Sequence, residues 1–277
     1  MATARQTGST DPRLRPIGVF DSGIGGLTVV RALTEKLPHE NIVYFGDTAR
    51  VPYGPKSPEV VREYAADDIK VLLHHDVKMI VVACNTVSAV ALDVVQRLAR
   101  VPVIGVIVPG AEAAARVTKK KRIGVIGTYA TINSNSYTNA LRQVDDDVET
   151  FPQPCPLFVP LAEEGWIDHP VTHLVAREYI FPLTLQKIDT LILGCTHYPV
   201  LRKAIADVVG PSVTLVDSGA ATAGEVVRVL ADKDLLNSSK QQPNLQFFVS
   251  DIPAKFTEVG ERFLGHTLGR VRKVAFD

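Results

Sequence analysis

The chain has 277 residues, 46% of them hydrophobic and 22% charged, enough to bury one large core or two modest ones. Its 30 basic residues balance 30 acidic ones, which excludes a global electrostatic footprint for nucleic acid or an anionic membrane. Mean hydropathy is only +0.12, and no apolar run approaches membrane-spanning length.

The first sixteen residues, "MATARQTGSTDPRLRP", lack the apolar centre of a secretory signal and read as a mobile polar tail. Strand-like apolar runs follow at "IGVF" (17–20), "IVYF" (42–45), "MIVVA" (79–83), "VIGV" (103–106) and "IGVI" (123–126). Three more stand at "TLIL" (190–193), "VTLV" (213–216) and "LQFFV" (245–249). Amphipathic stretches fill the gaps, the alternation of an α/β protein built on mainly parallel sheets. Ser57 and Pro58 form an N-cap and first-turn pair for a helix running into "VREYAADDIKVLLHH". The basic tract "KKKR" (119–122) is short, leads into a strand, and reads as a solvated loop.

The strands fall into two sets. "IGVFDSG" at 17 resembles "IGVIGTYAT" at 123, and "IVVACNT" at 80 resembles "LILGCTH" at 191. The offsets nearly agree, at 106 residues between Ile17 and Ile123 and 111 between Cys84 and Cys195. A period of that size is far above solenoid repeats and indicates a duplicated domain. The expected division is a first α/β domain of residues 17–106 plus 218–277, a second of 107–217, and a cleft between them.

Three cysteines without C-x-x-C spacing favour reduced thiols in a cytoplasm. Cys84 and Cys195 each end an apolar strand and are followed by small polar donors, whereas Cys155 sits between prolines and reads as structural. In open α/β sheets, reactive groups gather beyond the carboxyl ends of strands. Two facing halves would therefore bring the two thiols to opposite sides of one cleft. Such a pair suits stereoinversion at carbon, one sulfur removing a proton from one face and the other returning one. Burial as a small hydrophobe is the ordinary fate of a single cysteine; the paired contexts outweigh it here.

Several segments in fixed order carry a family resemblance: "IGVFDSGIGGLTV" (17–29), "YFGDTARVPYGPKS" (44–57), "ACNTVSA" (83–89), "IGVIGTYATINSNSY" (123–137), "CPLFVPLAEEGW" (155–166) and "LGCTHYPVL" (193–201). The chain resembles the glutamate racemases of the aspartate/glutamate racemase superfamily. That resemblance implies cofactor-independent interconversion of L- and D-glutamate for bacterial peptidoglycan, by a homodimeric cytoplasmic enzyme. It implies that Cys84 serves the D-enantiomer and Cys195 the L-enantiomer, with Asp21 beside the first thiol and Glu163 and His197 beside the second. Glu163 and the adjacent Glu164 are not separable from sequence, and only the family pattern selects Glu163.

A free amino acid of this type presents two carboxylates and one ammonium. Ser22, Asn85, Thr86, Thr128, Thr131 and Thr196 offer hydroxyl or amide groups for it, and the resemblance adds backbone contacts at Tyr53 and Gly54. No arginine clamp is present in the motifs. Ser218, in "DSG" at 217–219, reads as an ordinary helix cap.

Other classes remain open at this point. Gly23, Gly25 and Gly26 lack G-x-G-x-x-G spacing, which argues against a dinucleotide site. An aspartate racemase shares the two-thiol logic. A zinc hydrolase using Cys84, Cys195, His197 and Asp21 has acceptable ligand types, but C-T-H is tighter than usual zinc spacings. A non-catalytic amino-acid-binding protein would have little use for the thiol pair.

Overall fold

A computed structural model describes residues 11–252 and 256–276 and shows two sheets, all of whose pairings are parallel. The larger contains β1 (Ile17–Asp21), β2 (Ile42–Gly46), β3 (Met79–Val82) and β4 (Val103–Gly105). The smaller contains β5 (Arg122–Gly127), β6 (Glu149–Pro154), β7 (Thr190–Gly194) and β8 (Thr214–Asp217). Returning to the first sheet, β9 (Leu245–Val249) and β10 (Val271–Lys273) complete the order β10-β9-β2-β1-β3-β4, against β6-β5-β7-β8.

The two orders share a core. β2-β1-β3-β4 repeats as β6-β5-β7-β8, so the 106-residue likeness between Ile17 and Ile123 corresponds to equivalent central strands. β1 is buried along its whole length because helices cover both faces, and this explains its continuous apolar run. Alternation sends Ile17 and Val19 to the cluster containing the helix Leu27–Lys36, and Phe20 to the cluster under the helix Pro58–Leu73. The helix Ser218–Asp232 packs on both Leu27–Lys36 and Ile107–Val117, tying the two lobes together.

All eight expected strands are present, with ends shifted by a residue or so. Two others went unread. β6, "ETFPQP", holds Pro152 and Pro154, which cannot donate to a ladder; it pairs only with β5, at the sheet edge. β10 is three residues long and also an edge. Ser57 caps the helix Pro58–Leu73 as expected, but the helix stops before His74 and His75. Of "KKKR", Arg122 already belongs to β5.

Residues 1–10 of the expected tail lie outside the described residues; residues 11–16 are tied to the body. Asp11 caps a short 3-10 turn over Pro12–Leu14, Asn41 donates to the Leu14 carbonyl, and Lys78 donates to that of Arg13. Lys78 is paired with Glu40 at 2.5 Å, their side chains only 1% and 2% exposed, and Lys78 also donates to the Leu235 carbonyl. Asn237 donates its backbone N–H to the other Glu40 oxygen. One ion pair thus fastens three distant segments beneath the sheet.

Removing one member strands a buried charge, whereas removing both does not. Lys78→Met should lower the unfolding free energy by roughly 3–5 kcal/mol, measured by denaturant titration. The double variant Lys78→Met/Glu40→Leu should recover much of that loss; a double variant as unstable as the single would show that packing, not the uncompensated carboxylate, sets the cost.

Candidate active site

The carboxyl ends of β1, β3, β5 and β7 meet at one cavity of about 240 Å³. That is below the roughly 300–1,000 Å³ of sites for drug-sized ligands. Cys84 and Cys195 both line it, 5% and 6% exposed, with Ser22, Asn85, Thr86 and Thr196 among their neighbours. Tyr53, Gly54, Thr128, Glu163 and His197 line it too. Asp21 and Thr131, both proposed from sequence, are buried behind this wall.

Cys84 follows β3 and caps the helix Asn85–Val90. Its thiol lies 3.5 Å from Ser22 Oγ. Burial, then the charge of Asp21, pushes the thiol up to about 12, so the resting group is protonated at neutral pH. Asp21 closes β1 and accepts the Gly23 backbone N–H at 3.0 Å. Its own carboxyl is raised by burial, against the opposing pull of His197 and nearby backbone N–H groups.

Cys195 follows β7 and has a different neighbour. His197 Nδ1 stands 3.9 Å from its sulfur, and His197 Nε2 lies 2.8 Å from Glu163 Oε1. Burial disfavours the imidazolium, but Cys195 and Glu163 outweigh it and raise His197 to about 10. His197 therefore places a positive charge beside the Cys195 sulfur. Glu163 ends the helix Phe158–Glu163; Gly165, at φ +75°, follows, and Arg262 donates to the Glu163 carbonyl. The structure thus separates the glutamates that sequence could not, since Glu163 is the one on His197.

The remaining groups join the lobes. Thr86 Oγ1 is 2.9 Å from Thr128 Oγ1, which caps the helix Tyr129–Asn133, and Thr131 completes the hydroxyl cluster at 3.4 Å from Thr86. Gly54 accepts a hydrogen bond from the Ala130 N–H at 3.1 Å. Tyr53 is buried, and its phenol bonds both Asp47 and Asp68, while Arg50 crosses the same two carboxylates. Sequence reading missed this anchor of the 51–54 loop; the acidic and basic residues are visible in the chain, but their convergence is not.

Ser218 is not the cap it was expected to be. Asp217 caps that helix, accepting from Gly219 and Ala220, while Ser218 Oγ donates to the Leu193 carbonyl at 3.2 Å. Cys155 is fully buried with its sulfur near the Gln153 carbonyl, and burial raises its thiol. Among the described residues, no group of three or more His, Cys, Asp or Glu is placed to hold a metal ion.

A duplicated parallel α/β fold that delivers one strand-end cysteine from each half to a single cleft defines a class, the two-lobed amino-acid racemases. The chain belongs to the Asp/Glu/Hydantoin racemase family, whose model matches residues 19–226. It is 56% identical over 260 residues to a glutamate racemase of Chlorobaculum tepidum, covering 94% of this chain and 96% of that one. Among solved structures, glutamate racemase from Francisella tularensis in complex with D-glutamate is similar at a TM-score of 0.90 and 43% identity, covering 96% and 99% of the two chains. Glutamate racemase isoform RacE1 from Bacillus anthracis gives 0.91 and 41%, over 95% and 98%.

The His197 environment is open to direct test. Its raised folded value means that the stability contributed by protonation is fully present below the unfolded value of roughly 6.5 and is lost as pH rises through about 10. Glu163→Gln removes a charge that favours the imidazolium, so the His197 titration should move to lower pH by NMR; an unmoved titration would mean that Glu163 does not act on the ring.

Proposed function

We propose that this protein racemises glutamate, transferring protons at Cα between two thiols and supplying D-glutamate for peptidoglycan. The observation that carries the reading is that Cys84 and Cys195, from equivalent positions of the two halves, line one small cavity with opposite electrostatic partners. The glutamate racemase relatives at high identity and coverage support glutamate over aspartate.

With L-glutamate bound, Cys195 as thiolate takes the Cα proton while His197 holds the ion pair, and Cys84 as thiol delivers a proton to the opposite face. One C–H bond breaks and one forms. The sulfurs end with exchanged protonation states, and exchange with solvent or the reverse turnover resets them. In the opposite direction Cys84 must first lose its proton. Asp21, its carboxyl raised by burial, is a better-matched acceptor than an ordinary carboxylate. Ser22, Asn85, Thr86, Thr128 and Thr196 would satisfy the carboxylates with neutral donors, and no cofactor is required by this chemistry. Thr131 would act through Thr128 and Thr86 rather than on substrate.

A cytoplasmic location and a homodimer belong to the same proposal. Leu174, Phe181 and Leu185 form an exposed apolar stripe along the helix Pro170–Leu185, a surface suited to a second copy. Sedimentation equilibrium of the protein should give twice the 30.1 kDa chain mass; a monomer at micromolar concentration would count against it.

The central experiment is incubation with L-glutamate in deuterated water without added cofactor, followed by chiral analysis and mass spectrometry. The product should be D-glutamate carrying deuterium at Cα. Cys84→Ser and Cys195→Ser should each abolish inversion with the fold intact, because serine is nearly isosteric but far less acidic, whereas Cys155→Ser should stay active. A fully active Cys84→Ser or Cys195→Ser protein would sink the two-thiol mechanism.

A further inference from the structure

We infer that Tyr137 and Ser218 are positioning residues that fix the side-chain amide of Asn85, so that one Nδ2 proton faces the cavity to receive a substrate carboxylate. This rests on the racemase reading of the cavity. Asn85 lines the cavity but is almost fully buried, so its amide is oriented by protein partners. Tyr137 Oη lies 2.7 Å from Asn85 Oδ1, and Asn85 Nδ2 lies 3.4 Å from Ser218 Oγ, which itself donates to the Leu193 carbonyl.

The direction of this relay is decided by counting donors. A separation of 2.7 Å is the usual length for O–H···O and short for N–H···O. With the amide reversed, the Tyr137 phenol would have to accept from Asn85 and turn its proton toward Ser218, and Asn85 Oδ1 would face a Ser218 hydroxyl that could serve it only by abandoning Leu193. An unmade hydrogen bond in a buried site is costly, so the observed orientation prevails. Burial also holds the Tyr137 phenol in its protonated, donating form. Asn85 Nδ2 carries two protons, and Ser218 engages one. The other is the group presented to a ligand.

The surroundings are shaped for this relay. A Cβ on Gly194 would stand 3.0 Å from the Tyr137 ring, and one on Gly110 would stand 3.1 Å from Ser218 Cβ and 3.3 Å from Tyr137 Oη. Two glycines thus make room for the phenol beneath the site. The relay also crosses the lobes, because Asn85 follows β3 of the first sheet while Leu193 is on β7 of the second and Tyr137 is on the helix Ser136–Val144 packed against that second sheet. A donor on one lobe is therefore aimed by the other.

The test is steady-state kinetics with both enantiomers of glutamate on Tyr137→Phe, Ser218→Ala, Asn85→Ala and the double variant Asn85→Ala/Tyr137→Phe. A binding donor common to ground and transition states affects KM and spares kcat. Tyr137→Phe should raise KM about tenfold, the worth of one buried hydrogen bond, with kcat within about twofold of wild type. In the Asn85→Ala background the same change should have no further effect. An unchanged KM, or independent and additive losses, would overturn the inference while leaving the racemase reading intact. If Tyr137→Phe does not fold, Ser218→Ala carries the same comparison. Should the wild type fail to racemise glutamate, the racemase reading fails, and orientation is judged alone by NMR of the ligand-free protein. An NOE from the Asn85 Nδ2 protons to the Ser218 Hβ protons sustains the relay, and its absence refutes it.

Discussion

The close approach of two strand-end loops is the constraint from which the site follows. A Cβ on Gly25 would lie 2.3 Å from Thr196 Oγ1 and 2.5 Å from His197 Nδ1, so the chain there must be glycine for the lobes to meet. Thr28 fastens the same contact by donating to the Thr196 carbonyl at 3.0 Å. With the loops pressed together, Asp21 feels the charge of His197 even though the two belong to opposite lobes. The two sides of the cleft are therefore electrostatically coupled.

Duplication provides the frame, and departures from it provide direction. Strand equivalence matches Asp21 with Gly127 and Cys84 with Cys195, so the carboxylate at the end of β1 has no counterpart at the end of β5. Conversely, the residue two after the cysteine is Thr86 in the first half and His197 in the second. The result is a thiol beside an anion facing a thiol beside an imidazolium. Had the halves been identical, the two sulfurs would have had the same charged neighbours; Asp21 and His197 make them differ.

Much of this was legible in the chain because buried parallel strands write continuous apolar runs and their ends are punctuated by reactive residues. β6 was not, because Pro152 and Pro154 erase the run; yet the repeat held a signal, since a partner for β2 displaced by 106 residues from Ile42 falls next to Glu149. Ser218 was misjudged because a DSG triplet looks like any cap, and only the position of Asn85 reveals what its hydroxyl meets. Tyr137 carries no motif chemistry in isolation. Its function depends on a contact across fifty-two residues of sequence, which a local reading does not contain. Asp21 was legible as a residue but not as a buried one, since burial depends on the loop from Ser22 to Gly26 folding over it.

Among the described residues no lysine or arginine lines the cavity, although a dicarboxylate is the proposed ligand. Neutral donors can serve such a ligand because burial strengthens each hydrogen bond to an anion. They also suit a reaction whose substrate and product are mirror images. A strong cation on one wall would hold one enantiomer's carboxylate in its own geometry and deepen that ground state, without lowering the barrier between the two. Here Asn85 and Thr86 come from one lobe and Thr128 and Thr196 from the other. Donors drawn from both halves can hold the carboxylates near the plane between the sulfurs, leaving the Cα–H bond free to point at either thiol. On the proposed reading, duplication supplies donors on both walls, and Asp21 and His197 supply the difference between the two thiols.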